Sequence, residues 1–476
     1  MSHTFDISVD ALTAPVSAPS VANGWPIRAS DCAEAGLQMP LGSGRTFYIE
    51  TFGCQMNAHD SEKVAGVLMA RGYRPAKSMA GADLVLYNTC SIREKAAQKV
   101  FSRLGEWRGV KDKTIGVLGC VAQQEGEEIF ERAPWVSLVC GSASYRKLPD
   151  LLAELESGGR RVMGLGLDTE ETFETEMTRR DNPIRAYLTI IEGCNYACSY
   201  CVVPRTRGPE RSRASEAILA EANRLAEAGY TEIQLLGQTV NSYRDPSPRG
   251  WNFSRLLRGV AAIPGIHRVR FATSHPNDFG RDIVAAIEDT PAICNHVHLP
   301  AQSGSDRILR AMHRTYTRAE YLGKILWIRA ASRPISVTTD IIVGFPGETE
   351  KDFQDTLSLL DAVGYDGVFS FLYSPRPRTS AAEMDGAVPE QEKARRLALL
   401  QERQRQIQLA RNAALAGTVV EVLADAYQAP RAQWAGRTSS NRVVNFVSSH
   451  ANLLGEYLQV RVMRAGPNSL VGEHAV

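Results

Sequence analysis

The chain has 476 residues, with 54 Lys plus Arg against 53 Asp plus Glu, a formal net charge of +1, and 44% hydrophobic residues. At roughly 150 residues per domain, the length predicts about three domains. The charge balance excludes a polybasic protein that binds nucleic acid through bulk charge and leaves room only for a local basic face.

In chain order, Met1 to Gly44 is rich in Ala, Ser and Pro and lacks periodicity, so residues 1–44, with Cys32, read as a flexible tail. They lack the basic and apolar regions of a signal peptide. From Thr46 the pattern is regular. Three extended runs, Thr46–Thr51, Ala82–Tyr87 and Thr114–Leu118, each end just before a cysteine: Cys54, Cys90 and Cys120. Helical stretches follow them, from about Ser61 to Ala70, from Glu94 to Trp107 and to about Arg132. Strand–helix alternation predicts βαβ units in an open parallel sheet over residues 45–165. The strand C-terminal edge of such a sheet is where ligands bind. Spacings of 36 and 30 residues exclude a local metal knuckle, so these cysteines meet only through the fold. Placement alone leaves two readings open, a shared ligand site or three buried small hydrophobes.

Leu151 to Pro183 reads as a connector. A second alternating series then predicts strands at Ala186–Ile191, Glu232–Leu236, Val269–Thr273, His296–Leu299, Ser336–Val343 and Gly367–Tyr373. Six strand–helix units over residues 180–415 predict a partial parallel (β/α) barrel with function at the strand C-terminal ends. It closes with a Gln/Arg-rich helix from about Glu390 to Leu415. Residues 416–476 change to short alternating runs, at Thr418–Leu423, Arg442–Val447 and Tyr457–Val462, which predict a small antiparallel β-barrel. The expected fold class is therefore α/β with three unlike parts.

The strongest local signal is Gly193-Cys194-Asn195-Tyr196-Ala197-Cys198-Ser199-Tyr200-Cys201, three thiols in one loop after the first barrel strand. Cys thiolates are the usual ligands of iron–sulfur clusters. Three ligands on a four-iron cluster leave one iron open, and an open iron can chelate the amino and carboxylate groups of S-adenosylmethionine. A structural zinc site wants a fourth ligand nearby, and neither His nor Cys stands close on either side. An odd count of nine cysteines also fails to suit a disulfide framework. No apolar run approaches the roughly 20 residues of a membrane helix. The expected location is cytoplasmic and reducing, where clustered cysteines favour metal or redox chemistry. Cys140 and Cys294 lie in apolar segments and read as core residues.

The triplet resembles the radical S-adenosylmethionine superfamily, and Tyr200 matches the aromatic that precedes its last cysteine and packs near the nucleoside. Thr51 to Asn57, Asn88 to Ala96 and Gly116 to Cys120 resemble the N-terminal domain of methylthiotransferases. Leu236 to Tyr243, Leu299 to Ser305 and Asp340 to Thr349 extend that resemblance through the barrel. The C-terminal part looks like a TRAM nucleic-acid-binding module, with Gly436 to Phe446 close to the form carried by methylthiotransferases that act on isopentenyladenosine. The likeness runs from about Thr46 to the end.

The resemblance implies two 4Fe-4S clusters, one on Cys54, Cys90 and Cys120 and one on Cys194, Cys198 and Cys201. It implies S-adenosylmethionine as both methyl donor and radical source, and methylthiolation of carbon 2 of N6-isopentenyladenosine beside a tRNA anticodon. A flavodoxin or ferredoxin as electron donor and a sulfur source complete the expected partners. Threonylcarbamoyladenosine in tRNA and an aspartate of a ribosomal protein are alternative substrates, and a non-catalytic RNA-binding iron–sulfur sensor is an alternative class. Gln238, Asn241, Gln302, Ser303, Thr339 and Asp340 stand at strand ends, where they either bind S-adenosylmethionine or cap loops. Arg205, Arg207, Arg211 and Arg213 meet phosphate or carboxylate, or form a solvated face. In the C-terminal part Arg437 and Arg442 are candidate RNA contacts. Arg431, Arg461 and Arg464 offer further phosphate contacts, and Trp434 and Phe446 offer stacking surfaces; the alternative is an ordinary basic barrel surface with Phe446 in its core.

Overall fold

The computed structural model describes residues 44–91, 94–167, 172, 174 and 177–475. The tail expected over residues 1–44 lies outside them apart from Gly44. The N-terminal elements are β1 (Thr46–Phe52), α1 (Gln55–Ala70), β2 (Arg74–Pro75), β3 (Leu84–Thr89), α2 (Glu94–Gly105), β4 (Thr114–Gly119), α3 (Cys120–Glu125), β5 (Leu138–Gly141), α4 (Leu148–Glu156) and β6 (Val162–Gly164). The strands form one parallel sheet in the order β2-β1-β3-β4-β5-β6. Every residue of β3 is buried, as a parallel strand covered on both faces requires. Val64 and Leu68 of α1 pack with Leu86 and Leu118 on one side of the sheet, and Val100 and Leu104 of α2 with Val85 and Val117 on the other.

Helix α1 begins six residues earlier than the apolar pattern predicts. Its first turns carry Asn57, His59, Asp60, Glu62 and Lys63, all buried. They escape an apolar-periodicity reading because they are buried against polar partners in other segments: Glu62 with Arg180, Lys63 with Glu174, and the His59 ring edge-on to Tyr187.

The central elements are β7 (Arg185–Thr189), β8 (Ile191–Glu192), α5 (Val203–Thr206), β9 (Arg211–Ser212), α6 (Ser215–Glu227), β10 (Glu232–Leu236), α7 (Phe253–Ala261), β11 (Arg268–Phe271), α8 (Arg281–Asp289), β12 (His296–His298), α9 (Asp306–Ala311), α10 (Arg318–Arg329), β13 (Ser336–Val343), α11 (Glu350–Val363), β14 (Gly367–Leu372) and α12 (Glu390–Ala413). Two three-stranded parallel sheets, β11-β10-β7 and β12-β13-β14, are joined by a parallel bridge between Val269 and Ile293. One apolar core runs behind both, so they form an incomplete barrel. Helices α10 and α11 start on capping boxes, Thr317 with Glu320 and Thr349 with Asp352.

The C-terminal strands are β15 (Val419–Gln428), β16 (Gln433–Thr438), β17 (Val443–Val447), β18 (Tyr457–Ala465) and β19 (Leu470–His474), closed in the order β15-β16-β17-β19-β18. The barrel is antiparallel except where β17 pairs parallel to β19. A closed ring of five strands cannot alternate direction throughout, so one parallel pair is a topological necessity. This barrel seats on the N-terminal ends of the central strands. Arg268 donates to the Arg437 carbonyl at 2.7 Å and pairs with Glu421. Arg270 donates to the Thr438 carbonyl at 2.7 Å and pairs with Glu232. The opposite, C-terminal ends of the strands carry the cysteine loop.

Candidate functional site

Strand register brings the first three cysteines together. Phe52 pairs with Thr89, and Thr89 with Gly119, across adjacent parallel strands, which lie about 4.8 Å apart. Cys54, Cys90 and Cys120 follow these paired residues by two, one and one positions, so all three emerge at one edge. The turns are in contact. A Cβ on Gly53 would lie 2.6 Å from the Cβ of Cys90. Gly119 has φ +88°, and a Cβ there would meet the Asn88 side chain at 2.4 Å, so this turn needs glycine twice over. Asn57 Nδ2 donates to Asn88 Oδ1 at 3.1 Å and ties α1 to β3, and the Tyr145 hydroxyl donates to the same oxygen. Hydrogen bonding with the Cys90 thiol, aided by the Arg207 charge, draws the half-buried Cys54 thiol down to about 5. Thr89 and Ser91, on either side of Cys90, have buried hydroxyls without a protein partner among the described residues.

The second triad lies in the loop from Gly193 to Cys201. Its entry is held by the Cys194 N–H to the Gly208 carbonyl and by the Gly193 N–H to Gln238 Oε1 at 2.6 Å. Thr239 Oγ1 lies 3.5 Å from Cys194 Sγ, and the Val203 N–H donates to Cys201 Sγ at 3.4 Å. Arg314 Nη1 donates to Cys198 Sγ, also at 3.4 Å. Each sulfur therefore has a hydrogen-bonding group, which suits thiolate ligands. Burial still outweighs these contacts at two of the sulfurs: it raises Cys194 and, together with neighbouring Cys198, pushes the Cys201 thiol up to about 12. Among the described residues no three His, Cys, Asp or Glu side chains close round a single ion.

The two triads face one seam. Helix α5, directly after Cys201, packs against α3, which begins with Cys120. Ser142 donates to the Thr206 carbonyl at 2.7 Å, and Arg207 pairs with the buried Asp60 of α1. Arg211 pairs with Glu192, and Arg213 with Glu174 and Glu221. Three of the four arginines after the cysteine loop thus meet carboxylates across or beneath this seam, and Arg205 is exposed.

The strand-end polar residues divide. Asn241 spends both ends of its amide on the backbone of His275, Thr339 bonds the Leu299 carbonyl and Ala301 N–H, and Ser303 sits between Thr356 and the Ser305 N–H. These are loop-shaping bonds. Gln302 is held at φ +66° by backbone bonds to Asp340 and Ile342. Asp340 lies 3.4 Å from His298, whose other ring nitrogen bonds Thr338. No histidine of the chain shows a ligand spacing, and the sequence signal of His298 is its place at the end of β12. Arg314 left no sequence signal. Tyr200 packs with Ile308, Met312, Phe345 and Tyr373.

In the C-terminal barrel the aromatic expectation is corrected. Trp434 and Phe446 are cross-strand partners inside its core, because inward positions of a small barrel must be filled. The aromatic on its surface is Tyr427, 46% exposed. Arg442 bonds Asp366, Ser336, Asn412 and Ser440. Burial beside Arg185 draws the Arg437 guanidinium down to about 10, with Asp425 near it. Both arginines face the central domain. Arg431, Arg461 and Arg464 are exposed. Cys140 and Cys294 are buried core residues, and burial pushes the Cys140 thiol up to about 12.

Family models match three stretches: the Uncharacterized protein family UPF0004 over residues 46–141, the Radical SAM superfamily over 188–360 and the TRAM domain over 414–474. A radical S-adenosylmethionine methyltransferase, TsrM, from Kitasatospora setae shares the fold at a TM-score of 0.54 and 15% identity, covering 71% of this chain and 74% of its own. A partial barrel with a three-cysteine loop at its strand ends, between these two flanking domains, defines a radical S-adenosylmethionine enzyme. A protein of Solibacter usitatus is 64% identical over 91% of this chain and 98% of its own length, and one of Koribacter versatilis 58% identical over 91% and 99%. The chain belongs with both to the family of tRNA-2-methylthio-N(6)-dimethylallyladenosine synthases.

Proposed function

We propose that the protein methylthiolates carbon 2 of N6-isopentenyladenosine next to the tRNA anticodon, giving 2-methylthio-N6-isopentenyladenosine. The observation that carries this reading is two three-thiol sites on the facing edges of adjacent domains, joined by Arg207 and Asp60. Cys54, Cys90 and Cys120 would hold one 4Fe-4S cluster, and Cys194, Cys198 and Cys201 the other. Bound there, the clusters supply an electron for reductive cleavage of S-adenosylmethionine and an open iron for the sulfur to be transferred.

The chain's own residues position and exclude. Gln238 fixes the start of the cysteine loop, and Asn241 and Ser303 fix the loops after β10 and β12. Tyr200, Gln302 and Asp340 would contact S-adenosylmethionine. His298 Nε2 stands 3.4 Å from Asp340, a polar pair on the barrel wall. Arg431, Arg461 and Arg464 with Tyr427 would grip tRNA phosphates and bases, while Arg437 and Arg442 seat the C-terminal domain. The working units would be residues 45–165, 180–415 and 416–476. Among the described residues no helix is long and apolar enough to cross a membrane. The reading places the enzyme in the cytoplasm, with a flavodoxin or ferredoxin as electron donor and a separate sulfur source.

The test is mass analysis of tRNA nucleosides from cells with and without the gene. Loss of the 2-methylthio form with accumulation of isopentenyladenosine is expected. Loss from threonylcarbamoyladenosine instead would overturn the substrate.

A further inference from the structure

The segment from Ala311 to Arg314 clasps the cysteine loop. The Ala311 carbonyl accepts from Ser199 Oγ at 2.8 Å and the Met312 carbonyl from the Ser199 N–H at 3.1 Å. The His313 ring meets the Ala197 carbonyl at 3.2 Å. His313 has φ +56°, a left-handed turn that is costly for a side chain with a Cβ. That turn ends α9 and brings Arg314 inward, where it is buried. Its guanidinium makes three bonds: Nε to the Tyr316 hydroxyl at 3.0 Å, Nη2 to the Pro300 carbonyl at 3.2 Å and Nη1 to Cys198 Sγ at 3.4 Å.

Among the described residues no carboxylate pairs with Arg314. A buried cation without an anion is expensive. The group that Nη1 reaches is the Cys198 sulfur, at 3.4 Å. We infer that Arg314 is a positioning residue for this centre: it directs a fixed cation and an N–H donor at Cys198 Sγ and raises the potential at which a cluster bound there accepts its electron. The reduced cluster carries one more negative charge than the oxidised one. A fixed cation and an N–H···S bond in a low-dielectric pocket therefore favour the reduced form. Tyr316 and Pro300 orient the guanidinium so that Nη1 is aimed at the sulfur.

The inference rests on Cys198 being a cluster ligand. Iron content per chain tests that reading separately from the tuning. The experiment is an anaerobic redox titration, followed by electron paramagnetic resonance, of the reconstituted full chain, Arg314→Gln and Arg314→Lys. The signal that changes on adding S-adenosylmethionine identifies the barrel cluster. With iron content unchanged, Arg314→Gln is expected to make reduction at least tenfold less favourable, a midpoint lower by about 59 mV for one electron. Arg314→Lys keeps the charge and loses the fork, so a smaller lowering is expected. A wild-type midpoint in either variant at full iron content would overturn the inference. A second measurement needs no variant. In wild-type protein labelled with ¹⁵N-arginine, the reduced barrel cluster should show hyperfine coupling to a guanidinium nitrogen, and its absence would equally overturn it.

Discussion

The carboxylate of Asp60 and the guanidinium of Arg207, 147 residues apart in the chain, meet at 2.5 Å with both groups buried. Asp60 belongs to the helix that starts at Cys54, and Arg207 follows the helix that starts just after Cys201. The pair thus fixes how the two three-thiol edges approach each other. Burial raises Asp60 to about 6 even beside Arg207, so the contact positions the domains at a desolvation cost.

Removing one partner should therefore be severe. Arg207→Ala leaves an uncompensated buried carboxylate, and such a loss is expected to cost about 3–5 kcal/mol. Thermal unfolding of the iron-loaded chain measures it. Cleavage of S-adenosylmethionine should persist while methylthiolated product falls, because only the second requires the two edges in register. Equal losses in both assays would mean that the pair supports the barrel centre itself.

The cysteine triads should separate by chemistry. Reconstituted protein is expected to hold about eight irons, and replacing Cys194, Cys198 and Cys201 by Ala to remove about half of them together with all 5′-deoxyadenosine formation. Replacing Cys54, Cys90 and Cys120 should remove the other half and abolish sulfur insertion, with 5′-deoxyadenosine still formed. Iron analysis and product chromatography check both; methylthiolated product from the second variant would refute the division.

Recognition and docking should map to different arginines of the C-terminal barrel. Arg442→Ala breaks bonds to the central domain, while Asp366 keeps Arg411 at 2.7 Å. A destabilisation of about 1–3 kcal/mol is expected, with little change in the salt dependence of tRNA binding. Arg461→Ala combined with Arg464→Ala removes two exposed charges. It should weaken tRNA binding and lower the salt slope by about two. Binding measured at two salt concentrations, beside thermal unfolding, distinguishes the effects.

The seam should also respond to pH through Glu62, which faces His59 on its own helix, Lys63 beside it, and Arg180 and Asp181 from the connector. Burial raises its carboxyl from the usual 4.5 to about 7. The folded state therefore holds this proton more tightly than the unfolded chain. That contribution falls as pH rises from about 4.5 to about 7 and is constant above, a loss of up to about 3 kcal/mol. Glu62→Gln should flatten the fall in melting temperature between pH 5.5 and 7.5; an unchanged slope would show that another group titrates.

Much of the fold was legible because strand–helix alternation is a local signal. The six central strands and the three N-terminal runs before cysteines all stand within a few residues of their expected places, and the Cys194, Cys198 and Cys201 spacing carries its chemistry within one loop. Long-range pairing was not legible. Only the parallel register Phe52–Thr89–Gly119 brings Cys54, Cys90 and Cys120 to one edge, and no local pattern encodes register between strands 30 residues apart. The early start of α1 was hidden for a related reason: its polar residues are buried by partners from another domain, so they read as solvent-facing. Arg437 and Arg442 read as a basic surface, and only the tertiary structure gives them Asp425 and Asp366 to face. Arg314 shows the same limit. A lone arginine in a loop is unremarkable in sequence, and its meaning lies in a sulfur 116 residues away. Composition, periodicity and motif spacing set the elements and the chemistry available. Which charges lie buried, and against which sulfur, followed from how the three domains pack.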